Sequence, residues 1–109
     1  MTELKGKVAL VTGAAKGIGK AAAVRLAEEG VNVAINYNSS KQEAEDTVKL
    51  LKGFGIDSIS CQADVGNLDQ VTKMVDDVTE QFGQIDILVN NAGIIDAYGL
   101  PHMFIFEHA

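Results

Sequence analysis

Thr12-Gly13-Ala14-Ala15-Lys16-Gly17-Ile18-Gly19 lies between a short apolar run and an alanine-rich stretch, and that placement restricts what the chain can become. Upstream, Lys7-Val8-Ala9-Leu10-Val11-Thr12 is apolar on both faces of an extended chain, which suits a strand buried on both sides of a parallel sheet. Downstream, residues 18–29 predict a helix with Ile18, Ala22 and Leu26 stacked on one face and Gly30 as its C′ stop. The alternation then repeats. Residues 31–37 predict a second strand. Ser40 opens a second helix, with Glu43 three residues later in capping-box spacing and Ala44, Val48 and Leu51 as its buried stripe. Residues 56–62 predict a third strand. Asn67 caps a third helix with the stripe Val71, Met74, Val75, Val78 and Phe82, which Gly83 ends; residues 85–90 predict a fourth strand. A βαβαβαβ order with short connections predicts an α/β fold with a parallel sheet and right-handed crossovers.

Length and charge narrow the function. At 109 residues there is room for one domain with one core. A net charge of −6 sets the surface against phosphate backbones, so a nucleic-acid partner is not expected. One cysteine, Cys61, forms no intrachain disulfide framework and is read as a small apolar strand residue. The N-terminus does not read as a signal peptide, and no apolar run of about 18 residues occurs, so a cytoplasmic location is expected and a membrane partner is not. His102 and His108 lie six apart without a cysteine or acid cluster, so no metal site is expected.

A loop between strand and helix must turn sharply, admit a ligand's phosphate close to its backbone and let the helix approach the sheet; each demand favours glycine. The helix end behind it offers N–H groups and a partial positive charge to a pyrophosphate. The spacing here is G-x-x-x-G-x-G rather than G-x-G-x-x-G, so a plain tight turn stays open beside the phosphate-binding reading. The second strand ends Asn36-Tyr37-Asn38-Ser39-Ser40-Lys41 without the acid that commonly meets an unphosphorylated ribose. Lys16, Ser39 and Lys41 tolerate a 2′-phosphate better than an acid would, which favours NADP(H) over NAD(H); the other reading is two capping serines and solvated lysines. Asp64 follows the third strand, where it either accepts from an adenine amino group or holds loop N–H groups. The fourth strand ends in Asn90-Asn91-Ala92-Gly93, either a simple turn or backbone held open for a planar ligand.

Thr12-Gly13-x-x-x-Gly17-Ile18-Gly19, Asp64-Val65 and Asp86-Ile87-Leu88-Val89-Asn90-Asn91-Ala92-Gly93, in this order, resemble the short-chain dehydrogenase/reductase family over about residues 5–94. The likeness is nearest to its 3-oxoacyl-acyl-carrier-protein reductase and glucose dehydrogenase-like members. It implies a partial Rossmann fold, doubly wound, with strand order 3-2-1-4, two helices on one face and the third on the other. It also implies that Gly13, Lys16, Gly17, Ile18 and Gly19 hold the pyrophosphate and adenosine ribose. Asn38 and Ser39 then lie near the 2′ position, Asp64 and Val65 flank the adenine, and Asn91, Ala92 and Gly93 line the ribose and nicotinamide side. Asn90 is implied to be mainly structural.

The family's activity is hydride transfer between a nicotinamide and a carbonyl/alcohol pair, and it relies on a Ser and a Tyr-x-x-x-Lys pair downstream of Asn-Asn-Ala-Gly. Here Tyr98 is followed four places on by His102, and no Ser or Lys occurs beyond Lys73, so no catalytic residue is assigned. Tyr37-Asn38-Ser39-Ser40-Lys41 spells the letters at the adenosine end of the site and receives no catalytic role. The expected organisation is a nucleotide-binding half-domain over 1–93 and an apolar tail over 94–109, as in a truncated reductase that is inactive by itself. A shifted reading frame after Gly93 and a natural end are both compatible with such a tail. Its Phe104-Ile105-Phe106 either pairs along the sheet or leaves the fourth strand's edge bare for a second copy or a related subunit. The alternative functions are a non-catalytic dinucleotide-binding or subunit-interaction module and a product that folds poorly.

Overall fold

The computed structural model describes residues 3–91 and 104–107. The elements are β1 (Val8–Val11), α1 (Gly17–Glu28), β2 (Asn32–Tyr37), α2 (Lys41–Lys52), β3 (Ser58–Gln62), α3 (Leu68–Phe82), β4 (Ile87–Asn90) and β5 (Phe104–Glu107). The sheet order is β3-β2-β1-β4-β5. Every pairing is parallel, with Val11 opposite both Ile35 and Val89, and Tyr37 opposite Gln62. The order 3-2-1-4 is therefore present, and the C-terminal ends of all strands share one edge. In open parallel sheets that edge, beside the reversal of strand order at β1, is where ligands bind.

All four residues of β1 are buried, as its two-faced apolarity requires. Ala9, Val11, Val33 and Ile35 pack with Ala23, Ala27, Ala44 and Leu51 of α1 and α2. Val8, Leu10, Ala34 and Leu88 pack on the other side with Val71, Met74 and Val78 of α3. Two helices thus cover one face and the third covers the other.

The helix ends show where local sequence rules hold. Gly30, at φ +85°, ends α1 in a Schellman motif, with Gly30 N–H bonded to the Ala27 carbonyl and Val31 N–H to the Leu26 carbonyl. Asn67 caps α3, its side-chain oxygen accepting from Gln70 N–H at 3.1 Å. The expected capping box at Ser40 and Glu43 does not form, because Ser40 makes no side-chain cap bond and Glu43 instead faces Lys16.

Two packing expectations are corrected. The buried residues of α1 are Gly19, Ala23 and Ala27, one position on from the expected stripe, and Ile18 is 58% exposed. Small residues let the helix backbone come close to the sheet, and a stripe led by Ile18 would hold it away. In α2 the stripe includes Thr47, fully buried between Ala44 and Leu51, while Val48 is only half-buried. The fourth strand's edge is not bare either: β5 pairs along β4 with Ile87 opposite Phe104 and Asn90 opposite Glu107. That pairing satisfies backbone groups that an edge strand leaves open, and Phe-Ile-Phe has the composition of a strand.

Candidate functional site

The loop from Thr12 to Lys16 leaves β1 at the ligand-binding edge and enters α1. Gly13 and Gly17 adopt φ +60° and +65°, in the left-handed region that residues with a Cβ rarely adopt. Gly19 is constrained by space: a Cβ there would collide with the Gly13 carbonyl and lie 2.9 Å from Asn91 Nδ2. At Gly17, by contrast, a Cβ would meet nothing within 4 Å. The helix end is packed tightly beneath and open above.

Three side chains from distant parts of the chain clasp this loop. Asn36, buried at the end of β2, accepts from Gly13 N–H at 3.1 Å, while its amide donates to the Ala63 carbonyl at 3.1 Å. Its backbone carbonyl accepts from Ala14 N–H at 3.0 Å. Thr47 of α2 donates its hydroxyl proton to the Ala15 carbonyl at 2.9 Å. Asn91 donates through Nδ2 to the Gly13 carbonyl at 3.2 Å. Thr12 N–H donates to the Val89 carbonyl, and the Thr12 hydroxyl lies 3.4 Å from Asn90 Oδ1, so Asn90 ties β4 to β1. Each buried bond removes an otherwise unsatisfied polar group, worth about 1–3 kcal/mol if one partner is lost. The result is a loop whose shape is set before any ligand arrives.

Lys16 is the N-cap residue of α1, and its side chain makes no cap hydrogen bond. The first-turn N–H groups therefore face the open side of the loop, the arrangement that receives an anion. The open space at Gly17 and the uncapped helix end, held in place by the close packing at Gly19, fit the diphosphate of a dinucleotide. Gly13, Gly17 and Gly19 with the first turn of α1 are the groups that would hold it.

Beside the loop is a cleft of about 130 Å³ lined by Gly13, Ala15, Lys16, Tyr37, Asn38, Ser39 and Ser40. Lys16, Asn38 and Ser39 are thus brought together, and Ile18 is exposed at the start of α1. Tyr37 and Ser40 join them at the cleft, with Lys41 opening α2 next to it, away from the Asn91 side of the loop. Asp64 is exposed after β3, and its Oδ1 accepts from Gly66 N–H at 2.9 Å, so it does hold loop backbone. Among the described residues its Oδ2 accepts no hydrogen bond. Val65 is half-buried beside it. Asn91 closes the loop from the β4 side, whereas Ala92, Gly93, His102 and His108 lie outside the described residues.

Sequence reasoning missed Asn36 and Thr47. An amide ending an apolar strand and a hydroxyl at position i+3 of a helical stripe were the available signals. Nothing local says that their partners lie 23 and 32 residues away.

A larger hollow of about 650 Å³ lies between β3 and α3, lined by Ile59, Cys61, Lys73, Met74 and Asp77 among others. It has no glycine loop or helix end, and size alone does not make it the ligand site. Burial and the nearby Asp77 push the Cys61 thiol up to about 11, so it is protonated at neutral pH. Among the described residues no group of three or more His, Cys, Asp or Glu side chains could hold a metal ion, and no helix is long and apolar enough to cross a membrane.

A doubly wound parallel sheet with a rigid glycine loop at its topological switch point defines a nucleotide-binding α/β protein of the Rossmann type. The short chain dehydrogenase family pattern matches residues 7–104, and the chain belongs to that family. It is 54% identical over 88 residues to the 3-oxoacyl-acyl-carrier-protein reductase FabG of Staphylococcus aureus, a match covering 81% of this chain and 36% of that protein. It is 53% identical over 92 residues to versicolorin reductase stcU of Emericella nidulans, covering 84% and 35%. Among solved structures, a short chain dehydrogenase from Burkholderia cenocepacia in complex with NADP superposes with a TM-score of 0.80 at 48% identity, covering 85% of this chain and 38% of that one. An NAD+-bound xylitol dehydrogenase gives 0.79 at 41% identity, covering 84% and 35%. The chain spans about a third of the length of the relatives it matches.

Proposed function

We propose that this chain is the nucleotide-binding part of an NADP(H)-dependent reductase of the short-chain type, located in the cytoplasm. Its parent reaction is hydride transfer between a nicotinamide and a carbonyl/alcohol pair. The observation that carries the reading is the Gly19 contact: the helix end is pressed so closely against Gly13 that no side chain fits, and the resulting backbone cradle is uncapped. In this reading Gly13, Gly17, Ile18 and Gly19 receive the pyrophosphate. Lys16, Asn38 and Ser39 face the ribose 2′ position, where a cation and two neutral donors favour a 2′-phosphate. Asp64 and Val65 flank the adenine, and Asn91, Ala92 and Gly93 border the nicotinamide side. The dinucleotide supplies the hydride chemistry; these residues bind and orient it.

In this reading the residues up to Gly93 act as the module that binds the dinucleotide. Residues 1–93 form that module and 94–109 a tail, whose strand at 104–107 lies along β4. Its partner is the dinucleotide; the β4 edge that a second copy or a related subunit would have used is paired with β5.

The test is thermal melting of the folded chain with NADPH or NADH. A ligand that binds only the folded state raises Tm, and a concentration of about 100 Kd adds about 2.7 kcal/mol. The expected result is a rise with both and a larger one with NADPH, with the difference reduced in Lys16→Ala. No rise with either overturns the site, and equal rises overturn the coenzyme choice.

A further inference from the structure

The side of α2 that reaches the glycine loop carries two polar residues one helical turn apart. Thr47 is fully buried and holds the Ala15 carbonyl at 2.9 Å. Glu43 places Oε2 3.7 Å from Lys16 Nζ, with the two side chains 51% and 74% exposed. Exposed pairs of this kind usually contribute little, because long side chains wander and salt screens them. Here the two backbones cannot part, since Thr47 ties α2 to the residue next to Lys16. Glu43 is therefore kept within reach of Lys16, which lines the cleft with Asn38 and Ser39. Among the described residues, charged groups next to the cleft include Lys16, Lys41 and Glu43. The first two attract a phosphate, and the third both occupies Lys16 and repels an anion placed beside it.

We propose that Glu43 is a specificity-determining residue that restrains this site's preference for a 2′-phosphorylated adenosine by engaging Lys16 and setting a like charge against the phosphate. This rests on reading the cleft as the ribose 2′ end. It explains why a helix that begins with a serine three residues before a glutamate leaves the capping box unmade: the carboxylate is turned to the loop.

The test is titration calorimetry of the full chain and of Glu43→Gln with two probes that differ only at the 2′ position, adenosine 5′-monophosphate and adenosine 2′,5′-bisphosphate. In Glu43→Gln the affinity ratio favouring the 2′-phosphorylated probe is expected to rise about two- to fivefold at low ionic strength. Affinity for the 5′-monophosphate stays within about twofold, and the gain shrinks in high salt. Glu43→Lys is expected to raise the ratio further. An unchanged or lower ratio in both variants, with circular dichroism matching the parent, overturns the proposal. A parent chain that shows no 2′-phosphate preference while Glu43→Gln still raises the ratio overturns the NADP(H) reading and supports the role of Glu43. A parent that binds neither probe overturns both.

Discussion

The two faces of the sheet are packed by different means. On the α1 and α2 face half of the buried cluster is alanine, with Ala9, Ala14, Ala15, Ala23, Ala27 and Ala44 beside Val11, Val31, Val33, Ile35, Leu51 and Ile87. On the α3 face Val71, Met74 and Val78 meet Val8, Leu10 and Leu88, with two alanines, Ala34 and Ala63. Small side chains bring backbone to backbone, so Thr47 can clasp the glycine loop from the first face, while Asn36 reaches the same loop from the side of Ala34 and Ala63. The α3 face has larger side chains in greater proportion, and no glycine loop leads into α3. Burial on both faces contributes to the folding free energy, whereas the close approach at Gly19 belongs to the first face.

Substitutions on each face separate these roles. The largest effect is expected from Gly19→Val. Its added carbons would displace backbone at Gly13, so coenzyme affinity should fall at least about 100-fold, with a stability loss of about 1–3 kcal/mol for overpacking. Calorimetry with NADPH measures the first and urea unfolding the second; retained affinity would break the link between close packing and binding. Met74→Ala is the counterpart on the other face. A cavity there is expected to cost about 2–5 kcal/mol in urea unfolding while leaving the folded protein's coenzyme Kd unchanged. A large change in Kd would show that the faces are not independent.

Thr47→Val keeps the shape of the side chain but leaves the Ala15 carbonyl without its donor. Stability is expected to drop by about 1–3 kcal/mol and coenzyme affinity by several-fold, both restored by Thr47→Ser. Failure of serine to restore affinity would show that methyl packing, and not the hydroxyl, seats the loop. The smallest effect concerns Cys61 beside α3. Its thiol is pushed from 9.0 to about 11 by burial, so the neutral form is favoured in the folded state. Its contribution to stability is full below pH 9 and is lost as pH rises from 9 toward 11. Denaturation at a series of pH values should show that loss in the parent and less of it in Cys61→Ala, and alkylation of the native thiol should be slow at pH 7.

Much of this was legible in the residues. The alternation of apolar runs and periodic helices gave the strand order through its family likeness, and Asn67, Gly30 and Gly83 marked helix ends by rules that need only neighbouring residues. The α1 stripe was misplaced because larger apolar residues suggest a core, whereas close helix–sheet contact selects Gly19, Ala23 and Ala27 for smallness. Ser40 and Glu43 had capping-box spacing, but a cation 27 residues upstream competed for the carboxylate. Asn36 and Thr47 were unreadable for a related reason. A polar residue in a buried stripe has many possible partners, and only the assembled fold brings Gly13 and Ala15 to them.

The central claim is that residues 13–19 form a backbone cradle for a diphosphate. It is tested most directly by following backbone amide signals of the 15N-labelled chain during titration with NADP+. The expected result is saturable shifts that are largest at Gly13, Gly17, Ile18 and Gly19, with little change along α3. Saturable shifts centred on Cys61, Lys73 and Asp77, with the 13–19 amides unmoved, would contradict it.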